Sequence, residues 1–146
     1  PGAAVLLLDI SKGFLPVYFS LRAGFPAWSV AIVAALAVAG HCYPLFANFR
    51  GGMGLAVAGG AMLAVYPLTF LIVLALLIFL VLIIRHSARA ALFTGLLAPI
   101  LLWLLHFRGT ELWVMATAGL VVAFRFTIDW NRKYRELWLD RDTEQA

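Results

Sequence analysis

The chain has 146 residues, of which 64% are hydrophobic and 12% are charged, and its formal net charge is +4. A soluble domain of this length does not need so much apolar surface, so the composition predicts an integral membrane protein. We attribute the positive charge to membrane topology, because no basic and aromatic surface pattern typical of nucleic-acid binding accompanies it. The single cysteine, Cys42, excludes an internal disulfide. No cluster of histidines and carboxylates suggests a metal site, and we expect no cofactor.

Six apolar segments divide the chain, at residues 3–21, 27–46, 53–65, 68–84, 90–105 and 112–126. The third and the fifth are shorter than the ~20 residues that cross a bilayer upright. The third is rich in glycine and alanine, so we expect it to be buried among its neighbours. We predict an all-α, polytopic membrane protein of about six transmembrane or half-membrane helices, with residues 1–128 forming the helical bundle.

The polar tail, residues 129–146, carries Trp130, Tyr134, Leu137 and Trp138 at roughly helical spacing. This pattern favours an amphipathic helix lying at the membrane interface over a partner-binding segment. No internal repeat or low-complexity linker is present, so we treat residues 1–146 as a single domain. The chain starts at Pro1 without a methionine, and we expect the true N-terminus to lie upstream.

The basic residues are unequally distributed between the two ends of the predicted helices. One side receives Arg50, Arg85, Arg89 and the tail, which adds Arg132, Lys133, Arg135 and Arg141. The other side receives only Arg22 and Arg108, with Glu111 beside them. Because cytoplasmic loops carry an excess of lysine and arginine, we predict that both termini face the cytoplasm.

The stretch 40–54, GHCYPLFANFRGGMG, joins the second apolar segment to the third. Glycines let the backbone approach a ligand closely, and a helix starting near Met53 would direct its free N–H groups toward an anion such as a phosphate. Arg50 would add a forked and permanently charged donor. The alternative is a tight interhelical turn with a membrane-flanking arginine, because glycine-rich loops are weak motifs.

Charged side chains inside apolar segments are costly and are therefore functional candidates. Asp9 and Lys12 are three residues apart, so they share a helix face and can neutralise each other. The pair could equally well serve only to anchor the helix. His41 lies close in sequence to Arg50, and its alternative role is that of a hydrogen-bonded packing residue. His86 and His106 lie at segment ends and are interpreted as interfacial.

Two of these motifs resemble a known family. Residues 6–17, LLLDISKGFLPV, are similar to the Asp-x-x-Lys-Gly helix of the bacterial acyl-phosphate-dependent glycerol-3-phosphate acyltransferases. Gly40-His41, Pro44, Phe46 and residues 49–54, FRGGMG, resemble the second motif of that family, usually written GHxFPxFxxFKGGKG. Residues 85–99 resemble its RYxSLASLxxxxxxP segment more loosely. The resemblance covers nearly the whole chain in the right order.

The resemblance implies a polytopic enzyme of the inner membrane whose site faces the cytoplasm. Such an enzyme moves an acyl chain from acyl-phosphate to the hydroxyl of glycerol 3-phosphate and makes lysophosphatidic acid for phospholipid synthesis. A site of this kind needs no nucleophile, because positioning of two phosphate-bearing substrates and stabilisation of developing charge could carry most of the rate. The implied partners are acyl-phosphate, glycerol 3-phosphate and membrane lipids, with no nucleic acid.

The resemblance also implies roles for individual residues. His41 and Lys12 are the candidate catalytic residues. The candidate residues for binding phosphate and substrate are Arg50, Gly51, Gly52, Gly54 and Arg85.

The sequence departs from the family at several motif positions. The first family motif, GSGNxGxTN, would precede Pro1. Met53 stands where KGGKG has its second lysine, and Ala88 and Ala91 stand where the family has two serines. An ungapped alignment places residues 126–129, FTID, on the late His-Arg-Glu-Asn motif, which removes its histidine and its asparagine.

Two readings of these departures remain open. The chain is either a divergent enzyme that binds phosphate through other basic groups, such as Arg85, Arg125 and Arg132, or an inactive paralogue. An inactive paralogue would bind phospholipid or an anionic metabolite in the membrane. A transporter is a more distant alternative, because no repeated halves are found.

The predicted topology can be tested with a reporter fused after Ala146. Because the arginine asymmetry places the C-terminus in the cytoplasm, a fluorescent protein fused there should fluoresce and an alkaline phosphatase should be inactive. A phosphatase fusion that is active, which requires export to the periplasm, would overturn the topology.

Overall fold

The computed structural model describes residues 2–45, 51–128 and 130. Within these residues the chain forms α1 (Gly2–Arg22), α2 (Ala27–Cys42), α3 (Leu55–Val65), α4 (Pro67–Ile84), α5 (Ser87–Leu104) and α6 (Thr110–Ile128). In this part of the chain α1, α4, α5 and α6 are long and apolar enough to cross a membrane, whereas α2 and α3 are shorter. The predicted all-helical membrane fold is confirmed. The predicted interfacial tail, apart from Trp130, lies outside the described residues.

Two of the predicted segments differ from the observed helices by three or more residues at one end. α2 ends at Cys42 and not at residue 46, since Tyr43 leaves the helical region with φ −130° and Pro44 follows it. α5 begins at Ser87, with His86 in extended conformation at its N-cap, and its 18 residues suffice to span. The prediction that the fifth segment is short was therefore wrong. Ser87 and Arg89 are polar, so an apolar run could not include the first turn of this helix.

The short helix α3 lies in the middle of the bundle and contacts α1, α2, α4 and α6. Its buried residues are Val57, Ala58, Gly60, Ala61 and Met62. With 11 residues it is about 16 Å long, roughly half of the ~30 Å hydrocarbon core of a bilayer. The prediction that the small-residue helix is buried by its neighbours is confirmed.

The contact between α1 and α3 is backbone against backbone. A Cβ atom added at Gly60 would overlap the carbonyl of Ile10, and one added at Gly13 would overlap the carbonyl of Val57. Small residues at such positions permit the close helix packing on which membrane bundles depend. The two glycines therefore set the distance between α1 and α3.

The bundle has two distinguishable ends. At one end the ring of Tyr66, between α3 and α4, lies 6.2 Å from the ring of Phe107, which follows α5. At the opposite end the guanidinium of Arg125, in the last turn of α6, lies 5.9 Å from the ring of Tyr43, which follows α2. We call this second end the loop end, because α2 ends there and the glycine-rich stretch leads into α3. Arg85 and Arg89 also lie at the loop end, at the junction of α4 and α5.

Two adjacent glycines of α3 provide a matched test of this packing. Gly60→Ala should lower the free energy of unfolding by about 1–3 kcal/mol, because the backbone of Ile10 has little freedom to move. Gly59→Ala gains the same helix propensity, but its Cβ meets only the ring edge of Phe70, at 3.1 Å. Detergent-titrated unfolding should show a loss for Gly60→Ala and little change for Gly59→Ala. Equal stability of both variants would contradict the close contact.

Candidate functional site

A cavity of about 450 Å³ opens at the loop end, between α1, α2 and the glycine-rich stretch. Its volume lies within the usual range of small-molecule sites. The lining residues are Lys12, Leu36, Ala37, Gly40, His41, Pro44, Gly51 and Gly52. The cavity thus brings together four of the residues that the sequence predicts for the site: Lys12, His41, Gly51 and Gly52.

A second cavity, of about 80 Å³, lies on the other side of α3 and is enclosed by α3, α4, α5 and α6. Its walls are hydrocarbon except at Thr94, whose hydroxyl donates a hydrogen bond to the carbonyl of Ala90 at 2.8 Å. This cavity offers no charged group to an anion. We therefore place the candidate site in the first cavity.

Asp9 connects the two candidate catalytic residues. Its Oδ1 atom accepts a hydrogen bond from Nζ of Lys12 at 3.0 Å and lies 3.6 Å from Nδ1 of His41. The side chain of Lys12 is 59% exposed, whereas those of Asp9 and His41 are 17% and 16% exposed. The predicted pairing of Asp9 with Lys12 is present. The approach of His41 to the same oxygen was not predicted, because these residues lie on different helices and have no shared spacing in the sequence.

Gly51 and Gly52 pack directly against the end of α2. A Cβ atom at Gly52 would overlap the imidazole of His41, and one at Gly51 would overlap the carbonyl of His41 and the ring of Pro44. The N–H of Gly52 donates to the carbonyl of His41 at 3.2 Å. Gly52 is a candidate binding residue by sequence, and in the structure its N–H group already has a protein acceptor. Both glycines are instead needed so that the loop can lie against His41.

Gly54 fixes the point at which α3 begins. It is the N-cap, with φ +78°, a conformation that glycine adopts without strain. Its carbonyl accepts the first helical hydrogen bond, from Ala58 at 2.8 Å. A Cβ at Gly54 would lie 2.6 Å from Sγ of Cys42 and 3.0 Å from Cγ1 of Val38. Gly54 therefore packs on α2 and is not part of the cavity lining among the described residues.

The remaining predicted cations occupy different places. Arg85 ends α4 with φ +54° and is not among the described residues that line the cavity. Arg125 is 9% exposed and faces the ring of Tyr43, immediately beyond His41 and Cys42 in the chain. A lone arginine in the last turn of an apolar helix was the only sequence signal for this position. Arg50 lies outside the described residues, and Met53 is 37% exposed.

Three of the departures from the family motifs lie together in space. Ala88, Ala91 and Phe126 are all buried in one apolar cluster that also contains Val38 and Cys42. In the family pattern these positions carry two serines and a histidine. In this chain they form packed core, so α5 and α6 supply hydrocarbon there in place of polar groups.

The fold and the cavity define a class of protein. It is a helical, multi-pass membrane protein with a cation, a histidine and a glycine-rich loop around a cavity at one end of the bundle. This combination suits a small anionic molecule.

Comparison with known proteins agrees with this class. Residues 1–136 match the family model described as glycerol-3-phosphate acyltransferase, and the chain belongs to this family. A glycerol-3-phosphate acyltransferase of Shewanella woodyi is 38% identical over 126 residues, covering 86% of this chain and 62% of the relative. That of Shewanella sp. strain ANA-3 is 43% identical over 108 residues, covering 74% and 53%. The chain thus spans between about half and three fifths of the length of these relatives.

Two solved structures share the fold. Both are crystal structures of PlsY (YgiH), an integral membrane glycerol 3-phosphate acyltransferase, at 28% sequence identity and covering 90% of this chain. The glycerol 3-phosphate form has a TM-score of 0.75 and is covered to 66%. The lysophosphatidic acid form has a TM-score of 0.76 and is covered to 67%.

The contact between Gly52 and His41 can be tested with a second glycine pair. Gly52→Ala should displace the imidazole and weaken binding of a small anion, measured with inorganic phosphate, by at least about tenfold, a change of about 1.4 kcal/mol. Gly40→Ala also adds a methyl group to the cavity lining, but at a position with nothing within 4 Å, and should preserve binding. Isothermal titration of the two variants compares them. Unchanged affinity in Gly52→Ala would show that the His41 contact is irrelevant to the site.

Proposed function

We propose that the protein transfers an acyl chain from acyl-phosphate to glycerol 3-phosphate and forms lysophosphatidic acid. The observation that carries the proposal is the cavity in which Lys12, His41 and the paired glycines meet, in a chain that belongs to the acyltransferase family. We further propose that this cavity faces the cytoplasm at the inner membrane. The excess of arginine at the loop end supports this orientation.

In the proposed reaction the substrate hydroxyl attacks the carbonyl carbon of acyl-phosphate. A new ester C–O bond forms, the bond between the acyl carbon and the phosphate oxygen breaks, and inorganic phosphate leaves with the electron pair. His41 accepts the proton of the hydroxyl as general base and passes it to the departing phosphate, which leaves as hydrogen phosphate. Lys12 holds a phosphate group by charge, and its exposed Nζ has room to turn from Asp9 toward the cavity. No covalent enzyme intermediate is needed.

Arg50 and the start of α3 complete the proposed phosphate site. The first N–H groups of a helix have no acceptor within it and favour an anion. Arg50 directly precedes Gly51 in the sequence and would add a positive charge to this site. Met53, where the family pattern has lysine, leaves the loop with one cation fewer. We therefore expect the affinity for phosphate to be lower than that of a complete motif.

The direct test is an assay of the full-length protein in lipid nanodiscs, with acyl-phosphate and labelled glycerol 3-phosphate. We expect lysophosphatidic acid and inorganic phosphate in equal amounts. His41→Gln should lower kcat by about 10²–10⁴-fold, the usual contribution of a general base. Lys12→Met should mainly raise KM for glycerol 3-phosphate. Binding without turnover in the unmodified protein would reject the enzyme and leave a membrane protein that binds an anionic ligand.

The loop can be tested by restoring its missing charge. Met53→Lys should tighten glycerol 3-phosphate binding about ten- to a hundredfold, the equivalent of about 1.5–3 kcal/mol for a charge-assisted contact. Met53→Gln is the matched control, since it is polar and of similar length but carries no charge. Arg50→Ala should abolish the binding that exists. If titration calorimetry finds the same affinity in all three variants, the loop is only a turn.

A further inference from the structure

The second cavity, between α3, α4, α5 and α6, has no part in the proposed reaction. Its volume is about 80 Å³. Space is left there because Ala58 and Gly59 of α3 and Ala91 of α5 bring little or no side chain to the lining. Ala91 is also a position at which the family pattern has serine. The departure from the family at this residue therefore leaves a wall of the cavity without a hydroxyl group.

The lining of this cavity is unsuited to water and suited to hydrocarbon. Among the described residues that line it, Thr94 alone carries a side-chain oxygen or nitrogen, and its hydroxyl donates to the carbonyl of Ala90 at 2.8 Å. A buried water needs about two to four polar partners, which this lining does not provide. An engineered apolar cavity of about 150 Å³ stays dry and holds benzene. The present cavity has roughly half that volume, so it suits the end of a hydrocarbon chain.

This cavity is reached from the lipid side of the bundle, beside α4. Leu74 of α4 lines the cavity and is 38% exposed. α4 packs mainly on α3 and α5, and Thr69 is its buried residue. The rest of this apolar, membrane-length helix therefore borders the hydrocarbon of the bilayer. A lipid chain that enters beside Leu74 meets no polar group on its way.

The bilayer is a better source of this chain than the acyl donor of the proposed reaction. The cavity that contains Lys12 lies on the other side of α3. A chain whose phosphate is bound at Lys12 would have to pass the start of α3, where Gly54 packs against Cys42 and Val38. The described lining of the second cavity also has no cation that could hold a phosphate beside the chain.

We propose that the second cavity binds the end of one acyl chain of a bilayer phospholipid, whether or not the protein transfers acyl groups. The chain lies between α4 and α6, whose Met115 and Val122 form the far wall. It replaces the side-chain contacts that α4 and α6 do not make with each other across this gap, and it thereby holds α4 on the bundle. The phospholipid is a structural ligand in this role and is not consumed.

Two methionines in the lining allow a direct test by NMR. Met62 and Met115 are 2% and 4% exposed, so a lipid chain outside the bundle cannot touch their methyl groups. The full-length protein is deuterated except at its methionine methyl groups and is placed in phospholipid nanodiscs. Met62→Leu and Met115→Leu assign the two signals. Nuclear Overhauser effects between these methyl groups and the lipid then report a chain inside the cavity.

We expect such effects from both methyl groups to protons near the chain end, and their loss when the phospholipid chains are deuterated. Their absence with protonated phospholipid would overturn the proposal, because the cavity would then hold no bilayer chain. Effects that are absent with protonated phospholipid and appear only after protonated lysophosphatidic acid is added would also overturn it. That result would assign the cavity to a chain of the reaction itself.

A larger side chain in the lining should exclude the lipid. Ala91→Leu should remove the Overhauser effects and most of the rise in Tm that added phospholipid gives the protein in lipid-depleted detergent. Ala75→Leu is the matched control, since it makes the same change on the exposed face of α4 and should keep both. Equal responses to phospholipid in the two variants would contradict the proposal. If Ala91→Leu does not fold, the comparison of protonated with deuterated chains decides, because it uses the unmodified protein.

Discussion

The backbone contact between α1 and α3, at Gly13 and Gly60, holds the short third helix in the middle of the bundle. An isolated helix of 11 residues is marginal in water, so α3 depends on its neighbours for stability. The position of α3 in turn determines where the glycine-rich stretch that precedes it ends. Gly54 ends that stretch against Cys42 and Val38, and Gly51 and Gly52 lie against His41. The cavity is therefore a consequence of close packing, because two small-residue contacts bring α1, α2 and the start of α3 to one place.

The packing of α1 and α2 also determines where the charged side chains lie. A carboxylate within a membrane helix is costly unless it is paired, and Asp9 faces two cationic or ionisable groups from different directions. Lys12 comes from the same helix one turn later, and His41 comes from the end of α2. Since α1 and α2 are held by packing, the contact with His41 costs little additional ordering. The apolar contacts between the helices thus form the cavity, and the polar side chains at the loop end lie beside it.

Much of the fold could be predicted from the sequence, because long apolar runs indicate membrane helices and a high content of small residues indicates a buried helix. The helical class, the burial of α3 and the pairing of Asp9 with Lys12 followed from such local patterns. The end of α2 and the start of α5 did not follow from such patterns, since α2 ends at Cys42 within an apolar run and α5 begins at Ser87, which is polar. The contact of Asp9 with His41 joins residues 32 positions apart, and local spacing carries no information on such a pair. The packing of Gly52 against His41 could not be foreseen, because a glycine needed for packing and a glycine that presents its N–H to a ligand look identical in a sequence.

Three positions at which the chain departs from the family motifs lie together in the fold. Ala88, Ala91 and Phe126 form apolar packing with Val38 and Cys42, so a polar wall from α5 and α6 is absent at these positions. The proposed phosphate site therefore has its neutralising groups elsewhere, at Lys12 and at the start of α3. Arg125 lies at the border between the two regions, largely buried against Tyr43. Its guanidinium adds positive potential at this end of the bundle. For the proposed phosphate site, hydrocarbon on one wall therefore makes the positive charges that remain at this end of the bundle more important.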